Sequence, residues 1–274
     1  MTPEYGLSLA KVHWVGVMFI LGASASEQLK LGVQMLATAA TAGHIPSVMT
    51  LLRFMLGEIE DRVPRITPSQ TFKQQEALFR KHLRTSEGQT DPDALTLAGV
   101  LSLARDDGAQ ALGWFERATR ARPAGSLGNS GKDSETPAGT KTISRDGRRM
   151  SQPRAPRWEW EATCLVWLGR LHLQRGASEE AERVLRVAAL ELGSAQACLE
   201  LAKSLPSSDP GRKALLLSAA TAGRTGVAQF LAEVEQQEAG ASQSQEEALE
   251  HARMAKGWAD LAAAEDGLTT PAPR

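Results

Sequence analysis

The string Ala-Ala-Thr-Ala-Gly stands at residues 39–43 and again at 219–223, and residues 188–193 read Ala-Ala-Leu-Glu-Leu-Gly, the same shape with different filling. Each copy follows a helix-forming stretch (LKLGVQML, AERVLRV, RKALLLS) and precedes a second apolar stretch (VMTLLRFM, CLELAKSL, AQFLAEVE). Weaker copies are EALFRKHLRTSEG, ending at Gly88, and ALGWFERATRA at 111–121, where Arg122-Pro123 replaces the terminal glycine. Repetition on a scale of roughly 30–45 residues confines a chain to a stack of like units, none able to bury its apolar face alone. The local chemistry says what the units are. Paired alanines let a neighbouring helix approach closely, and a following glycine stops a helix by turning left-handed at its C′ position. Asp91-Pro92 and Asp209-Pro210 mark helix starts, an N-cap followed by proline in the first turn.

Apolar spacing predicts six helix pairs: 5–21 with 26–42, 46–61 with 70–87, 92–105 with 108–121, 158–175 with 178–192, 195–205 with 210–222, and 225–238 with 245–265. The expected fold class is all-α, an α-solenoid of about six antiparallel helix pairs wound as a superhelix and interrupted by a disordered insertion. Aromatic residues make up only 5% of the chain, which argues against a β-sandwich built from aromatic and β-branched strands. The expected divisions are helical repeats over 1–121, a disordered basic linker over 122–157, helical repeats over 158–265 and a disordered tail over 266–274.

The clearest stretch is 162–201, ATCLVWLGRLHLQRG followed by ASEEAERVLRVAALELGSAQACLEL. Its Leu168-Gly169, Gly176, Ala181, Ala188-Ala189, Gly193 and Ala197 resemble the pattern of Sel1-like repeats, relatives of the tetratricopeptide repeats. Trp114-Phe115 matches the aromatic pair of the second helix one unit earlier. In the clearest unit, Val184-Leu185 stands in place of that pair, and His172 replaces the usual first-helix aromatic. The resemblance implies a superhelix that acts as an adaptor in assembling or degrading protein complexes, in some members within the endoplasmic reticulum or mitochondria.

Two segments fall outside the repeat pattern. Residues 122–157 carry four prolines, five glycines and almost no apolar bulk, so they cannot offset their ordering entropy. Eight basic residues against three acidic give this stretch a local charge of +5. Arg148-Arg149-Met150-Ser151 inside it resembles a basophilic-kinase site, which makes Ser151 a candidate phosphosite with Arg148 and Arg149 beside it. A tether to acidic surfaces or RNA is the electrostatic alternative, and a solvated spacer the plain one. At the other segment, 7–21, a short apolar run ends in Gly-Ala-Ser-Ala. The reading adopted is a buried first helix stopped by Gly22, with a targeting element as the alternative; the run is too short for a membrane span.

Catalytic signatures do not emerge. The chain has no Gly-x-Gly-x-x-Gly, P-loop, Gly-x-Ser-x-Gly or His-Glu-x-x-His. Its five histidines, at 13, 44, 82, 172 and 251, are expected to be structural, without a ligand or acid–base partner on the same helix. Cys164 and Cys198 are expected to be buried free thiols, which fits an intracellular, cytoplasmic setting, with mitochondrial or endoplasmic-reticulum targeting as the alternative. Glu179-Glu180 and Glu246-Glu247 are placed at helix starts, where the macrodipole favours them. Net charge is −1, so bulk electrostatics favour neither nucleic acid nor anionic lipid.

The expected function is therefore a non-enzymatic scaffold without cofactor or metal, binding a partner protein segment, with no specific nucleic acid and no transmembrane span. The alternative is an organelle assembly or quality-control factor with an N-terminal targeting or membrane-contact segment. Candidate partner-binding residues are Arg170 and Gln174, as exposed first-helix positions, with Trp158 and Trp160. On a helix the i, i+2 spacing of these tryptophans turns them to different sides, so one of them is expected to be exposed.

Overall fold

A computed structural model describes residues 8–22, 26–57, 66, 69–121 and 153–269. The described residues are helical apart from turns and short connections. The chain divides into two compact units, Met1–Lys132 with Arg157–Cys164, and Asp133–Pro156 with Leu165–Arg274.

In the first unit, α1 (Leu9–Leu21) pairs with α2 (Ser26–Thr41), α3 (Ile45–Leu56) with α4 (Gln70–Leu83), and α6 (Pro92–Leu103) with α7 (Gly108–Arg120). A five-residue helix, α5 (Ser86–Thr90), joins α4 to α6. Then comes α8 (Glu161–Gln174), whose first turn belongs to the first unit and whose remainder belongs to the second. In the second unit α8 pairs with α9 (Ser178–Arg186), α10 (Ala195–Ser204) with α11 (Pro210–Thr221), and α12 (Ala228–Ala241) with α13 (Gln245–Thr269). These are the six pairs that the apolar spacing predicts, a Sel1-like α-solenoid. The expected linker 122–157 lies outside the described residues except for its last five.

The termination signals hold with one exception. Gly43, Gly193 and Gly223 have φ of 90°, 68° and 77°, the left-handed stop expected of them. Gly88 does not stop a helix. It lies buried inside α5, where an added Cβ would stand 2.3 Å from the His82 carbonyl oxygen. Its role is to let α5 fold back against the end of α4. Asp91 and Asp209 cap as expected, accepting from the backbone N–H of Asp93 and Gly211 at 3.0 and 2.7 Å. Beyond α9 the chain makes a π-turn, Val187–Glu191, before Gly193. Helix α13 runs to Thr269, four residues beyond its expected end at 265.

In the pairs α6–α7 and α8–α9, a glycine in the first helix faces a large residue in the second. A Cβ on Gly99 would lie 2.5 Å from Phe115 Cε1, and a Cβ on Gly169 would lie 2.6 Å from Leu185 Cγ. In the first pair the approach is backbone to backbone, since a Cβ on Gly32 would lie 2.8 Å from the Gly16 carbonyl oxygen. The matched alanines Ala181, Ala188, Ala189 and Ala197 are all buried, as the close-approach reading requires.

This packing reverses a general rule. Glycine to alanine inside a helix usually stabilises by about 0.5–1 kcal/mol. That holds for Gly113→Ala, whose Cβ would meet nothing within 4 Å. Gly169→Ala is expected to destabilise instead, by about 1–3 kcal/mol through overpacking. Urea unfolding of the two variants checks the opposite signs. In a Leu185→Ala background the Gly169→Ala penalty should shrink, since the two residues are coupled by contact.

Candidate protein-interaction surface

The two candidate tryptophans at the start of α8 are both buried, at 6% and 5% exposure. The expectation that one of them is exposed is corrected, and the reason is local. Helix α8 begins at Glu161, so Trp158, Glu159 and Trp160 form the turn before it, and helical spacing does not apply. Trp160 donates its backbone N–H to Asp93 Oδ1 on α6 at 2.9 Å and its indole N–H to Glu159 Oε1 at 3.0 Å. The Arg53 guanidinium of α3 lies 4.9 Å from the Trp160 ring and 4.0 Å from Glu159. Arg157 stands over Trp158 at 5.5 Å and donates its backbone N–H and Nε to the buried Glu161 carboxylate at 2.6 and 2.8 Å. The turn thus binds the helix start onto α3 and α6, and its aromatic area is spent on packing.

Asp93 feels this enclosure. Burial pushes its carboxyl up to about 6; the Trp160 N–H works against that rise, and the neighbouring Asp91 and Glu159 add to it.

The other two candidate residues lie on α8 in the second unit. Gln174 is exposed, as expected. Arg170 is not: its side chain is 14% exposed and spans two neighbours, Glu200 on α10 at 2.7 Å and the Trp167 ring at 4.6 Å. Here the expectation of an exposed arginine is corrected, because the first helix of the next pair supplies a carboxylate that sequence spacing cannot reveal. Glu200 also accepts from Gln196 Nε2 at 2.7 Å and lies 3.8 Å from Lys203, whose ammonium stands 5.3 Å from the Phe230 ring on α12. Trp167, Arg170, Glu200, Lys203 and Phe230 therefore form one row across the first helices of three successive pairs. Lys203 is its exposed member, and Gln174, one turn beyond Arg170 on α8, is exposed as well.

Two further clusters went unread in the sequence: they bring residues of other helices onto an i, i+3 pair, His44–Ser47 at the start of α3 and Glu235–Glu238 on α12. Ser47 Oγ lies 3.0 Å from His13 Nδ1 and 2.8 Å from His44 Nδ1. In the last pair, Glu235 and Glu238 of α12 and His251 of α13 bring three ligand-type atoms within 4.8 Å of one another. Lys213 of α11 reaches the same carboxylates at 2.8 and 2.6 Å, so an ammonium takes the place a metal cation would occupy. Burial raises the Glu235 carboxyl, but hydrogen bonds from Lys213 and His251 outweigh it and hold the group below its ordinary range. This cluster is a salt-bridge staple between three helices.

Cys164 and Cys198 are buried and free, as expected, and burial pushes the Cys164 thiol up to about 12. Glu179-Glu180 and Glu246-Glu247 lie in the first turns of α9 and α13, the helix starts predicted for them. Arg148, Arg149 and Ser151 lie outside the described residues.

The pairwise stacking, the glycine stops and the close-packed alanines set the architecture. A Sel1 repeat protein from Oxalobacter formigenes, known from its crystal structure, superposes with a TM-score of 0.54 at 17% identity, over 94% of this chain and 91% of that one. The fold is that of a Sel1 repeat protein. No protein-family model and no curated protein matches the sequence. The Sel1-like fold places Arg170 and Gln174 on the first helix of a repeat, the element that the row of side chains links from pair to pair. Among the described residues no helix is long and apolar enough to cross a membrane.

Asp93 gives this region a pH signature. Its folded value of about 6 lies above the unfolded value of about 3.9, so the folded state binds the proton more tightly. That contribution is present below about pH 4 and is lost as pH rises through 6. Asp93→Asn, which stays neutral and still accepts the Trp160 N–H, should match wild type near pH 4 and melt higher than wild type at pH 7.5. Thermal melts of both proteins across that range test it; curves that stay parallel would count against an elevated carboxyl.

Proposed function

We propose that the chain is a non-enzymatic scaffold or adaptor, holding a segment of a partner protein on the face built by the first helices of its repeats. The observation that carries this reading is the row Trp167, Arg170, Glu200, Lys203, Phe230. It joins three successive first helices into one surface, beside which Gln174 stands exposed. A surface assembled from side chains of successive repeats suits an extended segment, because each repeat offers the next contact at a regular step. The two thiols are withdrawn by burial, which also suits a binding role better than a nucleophilic one.

Proximity labelling from a C-terminal fusion in the native host, comparing wild type with the double variant Gln174→Glu, Lys203→Glu, tests the proposal. The expected result is a short set of proteins from one complex, depleted at least about tenfold in the variant while its melting temperature stays within a few degrees. A tenfold loss corresponds to about 1.4 kcal/mol, a modest cost for charge placed inside a contact. An identical set from both proteins would remove this face from consideration.

A second reading, an organelle assembly or quality-control factor that makes a membrane or targeting contact through its N-terminal segment, is favoured by one feature. Trp14, Met18 and Leu21 are 66%, 64% and 79% exposed at i, i+4 and i+7 on α1. A contiguous apolar stripe exposed on a surface helix is the kind of feature a contact would cover. Trp14→Lys with Met18→Lys should then shift the protein's location in cell fractionation without lowering its melting temperature. An unchanged distribution would dismiss the stripe as a contact.

A further inference from the structure

The Ser47 cluster carries an inference independent of the scaffold reading. Ser47 is fully buried in the first turn of α3, and two histidines converge on its hydroxyl, His44 at the N-cap of α3 and His13 from α1, with ring centroids 5.2 Å apart. One hydroxyl offers one hydrogen. In the neutral state one ring donates its Nδ1–H to Oγ and Oγ–H donates to the Nδ1 of the other, which fixes opposite tautomers on the two rings. A first proton keeps this relay, because the charged ring can remain the donor. A second proton leaves the hydroxyl hydrogen without its acceptor and places two cations about 5 Å apart at the positive end of the α3 dipole.

We propose that His13, Ser47 and His44 form a pH-operated latch that fastens α1 to α3 at neutral pH and releases it when both rings are charged. The latch matters because it ties α1 to α3 through a polar contact, beside the packing of α1 on α2. Of its thirteen residues only Gly16 is buried; the other apolar side chains are half-buried or exposed. The contact with α2 is a close approach between Gly16 and Gly32, with Leu36 of α2 against Gly16 and Phe19 and Ile20 of α1 against Gly32. Release of α1 would uncover α2 along Gly32 and Leu36, which α1 covers now.

The surrounding charges agree with this sign. Burial lowers the pKa of His13, the neighbouring His44 lowers it further, and Glu159 opposes both. Glu159 is itself engaged by Arg53, the ionisable residue within α3, at 4.0 Å. The half of α2 that runs beside the start of α1, residues 34–41, has no ionisable side chain. A histidine held neutral by the fold contributes stability that is fully present above its unfolded value of about 6.5 and is lost as pH falls from there through the lowered folded value.

Hydrogen exchange of the full chain, read by mass spectrometry at pH 7.5 and 5.5 and corrected for intrinsic exchange, tests the latch. Protection of residues 9–21 should fall about tenfold relative to residues 92–103 in α6 on acidification, one pKa unit being a factor of ten. His13→Asn keeps a hydrogen-bonding atom near the Nδ1 position but cannot charge, and in it the relative protection should change by less than about twofold. Ser47→Ala removes the relay and should show low α1 protection at both pH values. If His13→Asn melts far below wild type, His44→Asn serves the same purpose. Equal relative protection of wild type at the two pH values overturns the proposal without any variant. So does a pH response that survives in a folded His13→Asn or His44→Asn protein.

Discussion

Everything in this solenoid hangs on how closely the two helices of a pair can approach. Where Gly99 faces Phe115 and Gly169 faces Leu185, the second helix inserts a large side chain into the space that a Cβ would have filled. The contact buries the inserted residue completely: Phe115 and Leu185 are both at zero exposure. It also sets the axis separation, because a glycine lets a neighbour sit nearer than any side chain would. Once that distance is fixed, the paired alanines at the end of the second helix face their neighbours at contact range, and Ala188 and Ala189 can be buried against the next pair. Each repeat thus passes its geometry to the following one.

The polar groups are arranged around that apolar frame in two ways. At the turn before α8, two carboxylates have fixed partners: Asp93 accepts from the Trp160 N–H, and Glu161 from Arg157. Such groups are costly to leave unpaired, so they define one arrangement of the turn. Along the second unit, by contrast, the ties between first helices are charge-assisted and partly exposed, and pairs of that kind contribute little individually. The last pair stands between these extremes. Glu235 is almost fully buried, and the Lys213 ammonium with His251 offsets its desolvation.

How much of this was written in the sequence follows from the range of each interaction. Helix pairs, caps and most stops depend on residues within a few positions, so Asp91, Asp209, Gly43, Gly193 and Gly223 could be read directly. The substitution of Val184-Leu185 for an aromatic pair proved harmless for a local reason too: Leu185 fills against Gly169 the place that Phe115 fills against Gly99. Gly88 misled because a close backbone approach and a left-handed stop both select glycine, and only the fold distinguishes them. The candidate surface was half legible. Gln174 is exposed as its helical position implied, whereas Arg170 is tied to Glu200, thirty positions away. His44 and Ser47 are an i, i+3 pair at the start of α3 that spacing could have shown, but His13, and the Glu235–Lys213–His251 cluster, join residues of separate helices that no spacing rule on one helix brings together.

The same long-range pairing bears on what the first-helix face can recognise. Glu200 already receives Arg170 at 2.7 Å, Gln196 at 2.7 Å and Lys203 at 3.8 Å, with only 13% of its side chain exposed. An incoming carboxylate that engaged Arg170 would have to displace Glu200 and leave a largely buried charge without its main partner, which is expensive. On the scaffold reading proposed above, Arg170 is therefore not available to an acidic segment. What the row leaves available is the Gln174 amide, the exposed Lys203 ammonium and the half-buried ring of Phe230. Specificity in such a face comes as much from the carboxylate already in place as from any new attraction.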